Sequence, residues 1–240
     1  METGLRPPPE KTGMGGGAET AVRRQRTARY DAKLTAVLAA SSELFASKGY
    51  ERATIRDVAQ ATGMSLAGLY YYFKGKEELL FLIQFRVFQS LCEKLREIIK
   101  KETDPQACLR RMIRMHFDYF IRHMNDLKTC SREIESLDGG FYQKVADKRK
   151  EYFDLTQSIF EKISNTSGGS SADSRLAALY LFGTLNWIYQ WYRPGRDPNA
   201  REMASQLSGI YLNGFPRMAE EYDDQKSEKR LSEVNKRGLS

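Results

Sequence analysis

Thr54–Leu80 reads TIRDVAQATGMSLAGLYYYFKGKEELL, and the fold turns on its three consecutive tyrosines. Neighbouring positions on a helix point about 100° apart, so Tyr70, Tyr71 and Tyr72 cannot all enter one core. At least one faces water or a partner. The residues before them are punctuation. Thr54 stands where an N-cap should, with Asp57 as an acidic first-turn residue, and Gly63 closes the short helix between them. Ser65 is a second N-cap, opening a helix to about Phe73. Lys74-Gly75-Lys76 breaks it, and a long helix starts at Lys76.

Two short helices joined at Gly63 make a helix-turn-helix. A helix that enters a major groove must bring its first turn close to the bases, and Ser65, Leu66, Ala67 and Gly68 form an edge of low bulk there. Tyr70 and Tyr72 can then donate phenolic hydroxyls to phosphate oxygens, with Lys74 and Lys76 following. Leu69 and Phe73, four residues apart, face inward with Val58 and Ala59. The same outline also suits an α-hairpin inside a core, and the residues alone leave both readings open.

Outward from this stretch the apolar period is helical throughout. A first helix runs from Asp31 through Leu34, Val37, Leu38, Leu44 and Phe45 to Gly49. After Lys76–Lys101, helices are expected over 105–123, 126–137, 141–164, 172–192 and 199–219, separated by TDP, LDGG, NTSGGSSAD and RPGRDPN. The predicted fold class is all-α: residues 1–28 a disordered basic arm, 29–78 a three-helix helix-turn-helix domain, 79–220 a larger helical domain and 221–240 a charged tail. Of a net charge of +7, residues 1–76 carry +5, a bias that points to a polyanion bound by the N-terminal third.

Cys92, Cys108 and Cys130 are odd in number and lack C-x-x-C spacing, which argues against a disulfide framework or a zinc site and fits a reducing cytoplasm. No apolar run approaches the roughly 20 residues that cross a bilayer. No nucleophile, base and orienter stand together, which argues against an enzyme. The two rival classes are an all-α enzyme acting on a thioester and a membrane-surface protein using the basic arm.

The pattern F-x-x-x-G-Y-x-x-x-T-I-x-D-V-A-x-x-x-G-M-S-x-x-x-L-Y-Y-Y-F-K-x-K-E-E-L, which begins at Phe45, resembles the DNA-binding domain of the tetracycline-repressor (TetR) family. The resemblance implies backbone contacts at Thr54, Tyr70, Tyr72 and Lys76, with Arg56 and Tyr71 as further candidates, and base-edge positions at Ser65, Leu66, Ala67 and Gly68. Leu66 and Gly68 cannot make bidentate base contacts, so readout leans on thymine methyls, on Arg56, or on an arm carrying Arg23, Arg24 and Arg26 in an adjacent minor groove.

The resemblance further implies a ligand-binding, dimerising body. Leu109, Met112, Ile113, His116, Tyr119, Phe120 and His123 form one stripe. His116 and His123 lie about 10 Å apart along it, too far for a shared metal, so His116 reads as an interior or cavity-lining group. The cluster Leu181–Gly195, LFGTLNWIYQWYRPG, places Gly183 and Trp187 on one face. Its N-W-x-x-x-W-Y-x-P pattern is similar to family members that regulate fatty-acid, steroid or aromatic-acid catabolism and respond to acyl-coenzyme A. That implies no cofactor but an inducing ligand, an acyl-CoA or another apolar or aromatic molecule. Wall candidates are His116, Phe117, Phe120, Phe182, Asn186, Trp187 and Tyr189. Arg149, Arg193 and Arg196 are candidates for its phosphate-holding mouth. Leu176, Leu179, Tyr180, Gly183, Met203, Leu207, Ile210, Tyr211 and Gly214 are expected to pair two subunits, which implies a homodimer on a palindromic operator in double-stranded DNA.

Overall fold

The computed structural model describes residues 17–166 and 173–214, with side chains from Arg23 onward. The expectations for residues 1–16, for 167–172 and for the tail at 221–240 lie outside the described residues, as does the end of the last helix beyond 214. Among the described residues, nine helices have their bounds: α1 Gly17–Lys48, α2 Ile55–Thr62, α3 Leu66–Tyr70, α4 Lys76–Lys101, α5 Pro105–Arg122, α6 Met124–Arg132, α7 Gly139–Thr166, α8 Ser174–Asn186 and α9 Ile188–Trp191. A further helical stretch covers 200–214. The described residues hold no strand, and the all-α class stands.

Four boundaries differ from expectation. Residues 17–28 are not a disordered arm but the first turns of α1; their Ala, Arg and Gln are good helix formers, and low hydrophobicity alone misled the reading. The second short helix ends at Tyr70 rather than Phe73, because the Tyr72 amide turns back to the Leu69 carbonyl at 2.8 Å. α6 stops at Arg132 instead of 137. The expected helix 172–192 is broken at Trp187 into α8 and α9.

The described chain divides into two compact units. The first runs to Gln84 and includes Lys128–Tyr142; the second holds Phe85–Leu127 and the chain from Gln143 on. The boundary falls inside α4, beyond the expected residue 78, and the head takes up a later segment that the sequence reading gave to the body.

The head's core is Leu34, Val37, Phe45, Val58, Leu69, Phe73 and Leu80, each at most 2% exposed. Burying such a side chain stabilises by about 1.5–3 kcal/mol. Its turns are set by caps. Gly49 (φ 82°) and Gly63 (φ 65°) take the left-handed conformation that L side chains rarely adopt, and both sit where α1 and α2 must stop. The later segment is tied in by Thr129, whose hydroxyl donates to the Ser42 carbonyl, and by Gln84, whose amide donates to the Glu133 carbonyl at 3.0 Å. Glu133 accepts in turn from the Tyr50 amide at 3.3 Å, and Phe81 stacks on Phe141 with centroids 4.6 Å apart.

In the second unit α5 and α8 pack together. Leu91, Leu95, Leu109, Met112, Ile113, Phe120, Phe160, Ile163, Leu181 and Leu185 are buried to 1% exposure or less. Asp104 starts α5 by accepting from the Gln106 and Ala107 amides, with Pro105 in the first turn where its missing N–H costs nothing.

Candidate nucleic-acid interface and ligand core

The head presents α2 and α3 on its surface. Thr54 and Asp57 close a reciprocal capping box: the Thr54 hydroxyl accepts from the Asp57 amide (3.2 Å), and Asp57 accepts from the Thr54 amide (2.8 Å). Lys48 adds an ion pair to Asp57 at 2.9 Å. That lysine first, and then the Thr54 bonds, hold the Asp57 carboxyl down at about 2. Ser65 caps α3 by accepting from the Gly68 amide at 3.1 Å. A Cβ at Gly68 would sit 3.2 Å from the Ser65 hydroxyl, so the glycine leaves room for the cap.

Thr54, Arg56, Ser65, Leu66, Ala67 and Lys74 are exposed, and Gly68 is half-buried. The tyrosines divide. Tyr70 is 48% exposed, with its ring 6.4 Å from that of Phe73. Tyr71 is 43% exposed and meets Tyr72 edge-on at 5.2 Å. Tyr72 is half-buried against Tyr30 of α1 at 4.9 Å, and Tyr71 touches the same ring at 5.8 Å. Burial, and then Tyr71, raise the Tyr72 hydroxyl pKa. The three adjacent tyrosines thus divide into two outward rings and one that wedges the turn after α3 against α1.

Lys76 has a different occupation from the one expected. Its ammonium donates to the Tyr50 and Glu51 carbonyls at 3.0 and 3.2 Å and lies 4.2 Å from the centre of the Tyr50 ring. It braces the turn between α1 and α2. Arg23, Arg24 and Arg26 are exposed on α1.

The body holds a sealed polar pair. His116 (1% exposed) and Tyr152 (2%) meet at 3.1 Å, Nδ1 to Oη. Around them stand Phe120 (4.7 Å from the imidazole), Phe182 (5.4 Å from the Tyr152 ring) and Phe153. Burial pushes the imidazole pKa down to about 3, with Asn186 a smaller opposing influence, so His116 is neutral at pH 7. The Tyr152 hydroxyl is pushed up by the same burial. The Nε2 atom of His116 is buried without a partner at bonding geometry. Asn186 is the polar group on its side.

Of the expected wall, His116, Phe117 and Phe120 are buried and Phe182 and Asn186 half-buried, and Tyr152, which the sequence reading did not single out, is bonded to His116. Trp187 is a correction: 58% exposed, it lies at the α8–α9 break with its ring 6.1 Å from the half-buried Tyr189. Arg193 and Arg196 are exposed. The guanidinium of Arg149 covers the Phe88 ring at 5.0 Å, so its place is against an aromatic face. A surface groove beside it, lined by Arg96, Lys150, Glu151 and Asp154, pairs its own charges: Arg96 with Glu151, and Lys150 with Asp154 at 2.6 Å. His116 and His123 do not share a site, since His123 is surface-exposed beside Asp126.

The expected pairing residues also divide. Leu176 (39%), Leu179 (41%), Tyr180 (59%) and Ile210 (68%) are exposed, as is Gly183. Met203 (7%) and Leu207 (9%) are buried within the chain, Tyr211 packs near Phe160, and Gly214 is half-buried. No described helix is long and apolar enough to cross a membrane.

Residues 37–83 match the family model described as bacterial regulatory proteins, tetR family, and residues 102–215 match that of the tetracyclin repressor-like C-terminal domain. The HTH-type transcriptional repressor KstR2 of Rhodococcus jostii (strain RHA1) is 26% identical over 183 residues, which is 75% of this chain and 90% of that protein. The fatty acid metabolism regulator protein of Bacillus subtilis (strain 168) is 25% identical over 185 residues, 76% of this chain and 95% of its own. The fold is shared with AibR, whose crystal structure holds isovaleryl coenzyme A and operator DNA (TM-score 0.67, 24% identity, covering 74% of this chain and 97% of that one).

Proposed function

The chain belongs to the TetR family of DNA-binding transcriptional regulators, and from that premise we propose that it is a homodimeric repressor released from a palindromic operator by an acyl-coenzyme A thioester. The observation that carries the DNA half is the outward turn of Tyr70, Tyr71, Arg56 and the Ser65–Ala67 edge on one exposed pair of helices. Phenolic and guanidinium donors there position the head on phosphates, and the small edge admits bases.

Leu176, Tyr180 and Gly183 fall at steps of four and three, an exposed stripe on one side of α8, and the exposed Trp187 ring follows at the break after it. Covering this stripe with the same stripe of a second copy removes large apolar rings from water, and two-fold pairing sets two heads on one face of the duplex.

The neutral His116–Tyr152 pair, ringed by Phe120, Phe153 and Phe182, supports an apolar ligand with one uncharged polar group, such as a thioester carbonyl. A fatty acid metabolism regulator among the relatives and the coenzyme A ester bound by AibR favour that class. A ring ketone or phenol meets the same pair, and it is the second reading. Ligand acts by population shift: it binds better to a dimer state whose heads no longer match consecutive major grooves, and DNA affinity falls by that difference. A native mass spectrum of the purified protein tests the dimer and the ligand, with a dimer mass and a coenzyme A adduct expected. Equal footprints on the DNA upstream of its own gene with and without saturating long-chain acyl-CoA would overturn the release mechanism.

A further inference from the structure

From Thr20 to Tyr30 the chain carries four arginines and no acid, and the structure makes this stretch part of a continuous 32-residue helix. Arg23, Arg24, Arg26 and Arg29 are exposed, and none is ion-paired to a described carboxylate. Tyr30 is the first described residue to be buried (8% exposed), and its ring lies against Tyr71 and Tyr72 at the end of α3. The tyrosine thus locks the direction of the basic turns to the face that carries the outward rings.

Helical geometry sorts the arginines. Arg26 and Arg23, four and seven residues before Tyr30, lie within about 40° of its direction, roughly 6 and 10 Å further along the axis. Arg24 and Arg29 are rotated by about 100° or more. A helix about 10–12 Å across cannot enter a minor groove about 6 Å wide, so the expected arm in that groove is replaced by a rod that lies across the backbone.

We propose that the N-terminal turns of α1 are a phosphate rail, in which Arg23 and Arg26 grip duplex backbone flanking the segment read by α3. This rests on the DNA-binding reading above and adds a sequence-independent contact outside the operator core. Rail contacts strengthen binding through counterion release, and their signature is salt dependence.

The test is retention of a mixed-sequence duplex by the full chain over a series of salt concentrations. R23Q/R26Q is compared with R24Q/R29Q, which removes equal charge from other faces, and helicity is checked by circular dichroism. Each lost phosphate contact lowers the slope of log affinity against log salt by about 0.9. R23Q/R26Q is expected to lower it by roughly 2–4 per dimer, and R24Q/R29Q by less than half as much. Equal losses in the two doubles, or unchanged slopes with retention intact, overturn the rail alone. Failure of the wild type to hold any duplex overturns the DNA-binding reading itself.

Discussion

The head and the body use the same residue types in opposite ways. In the head, Tyr70 and Tyr71 are nearly half exposed and the polar groups that cap α2 and α3 are local: Thr54 with Asp57, Ser65 with Gly68. In the body, Tyr152 and His116 are sealed to 2% exposure or less and bond across 36 residues of sequence. The head keeps its chemistry at the surface because its partner is large and charged. On the function proposed above, the body keeps its chemistry inside because its ligand must leave water. A phenol is a grip in one and a buried hydrogen-bonding tip in the other.

The widest gap between the units should appear when a ring is removed from the sealed cluster. Phe120→Ala is expected to cost about 3–5 kcal/mol in denaturant unfolding, against less than about 0.5 kcal/mol for the exposed Leu66→Ala. A cost near 1 kcal/mol at Phe120 would break the contrast.

Acid sharpens it next. A histidine whose folded pKa is depressed penalises the folded state as pH falls below its unfolded value of about 6.5, and the loss continues until the folded value near 3. Relative to His116→Gln, the wild type should lose about 2 kcal/mol between pH 7 and pH 5. A parallel pH profile for the two proteins would mean that His116 is solvated.

In the head, Thr54→Ala is expected to cost about 1 kcal/mol by thermal melt, through loss of the N-cap. Asp57 titrates in the opposite sense to His116. Its depressed carboxyl contributes stability above about pH 4, and that contribution is lost as pH falls toward 2. The variant should show a flatter acid limb, and an unchanged limb would remove the capping box from the account. The smallest stability effect is expected at Tyr70→Phe, within about 0.5 kcal/mol. Yet its operator retention should weaken roughly thirtyfold, one hydrogen bond of about 1 kcal/mol being lost at each of the two heads.

The same division governs what the sequence could tell. Caps act over three residues, so Thr54, Gly63 and Ser65 were legible from spacing alone, as was Gly49. Tyr152 was not, because its role depends on a histidine from another helix. The signal that could have found it is its place in the buried stripe Val145, Tyr152, Thr156, Ile159 and Ile163 of α7. Trp187 was misplaced by carrying helical period through the break after Asn186. Lys76 looked like a free cation, and only folding supplies the two carbonyls that hold it. The basic turns of α1 were read by hydropathy when helix propensity was the better guide.

The membership of Lys128–Tyr142 in the head matters to anyone recombining regulators. A chimaera spliced inside α4 would transplant the recognition surface without Glu133, Thr129 and Phe141, leaving the Tyr50 amide, the Ser42 carbonyl and the Phe81 ring without their native company. The exchangeable cassette is therefore discontinuous, and grafts that carry both pieces should give soluble, operator-competent hybrids where single-splice grafts fail.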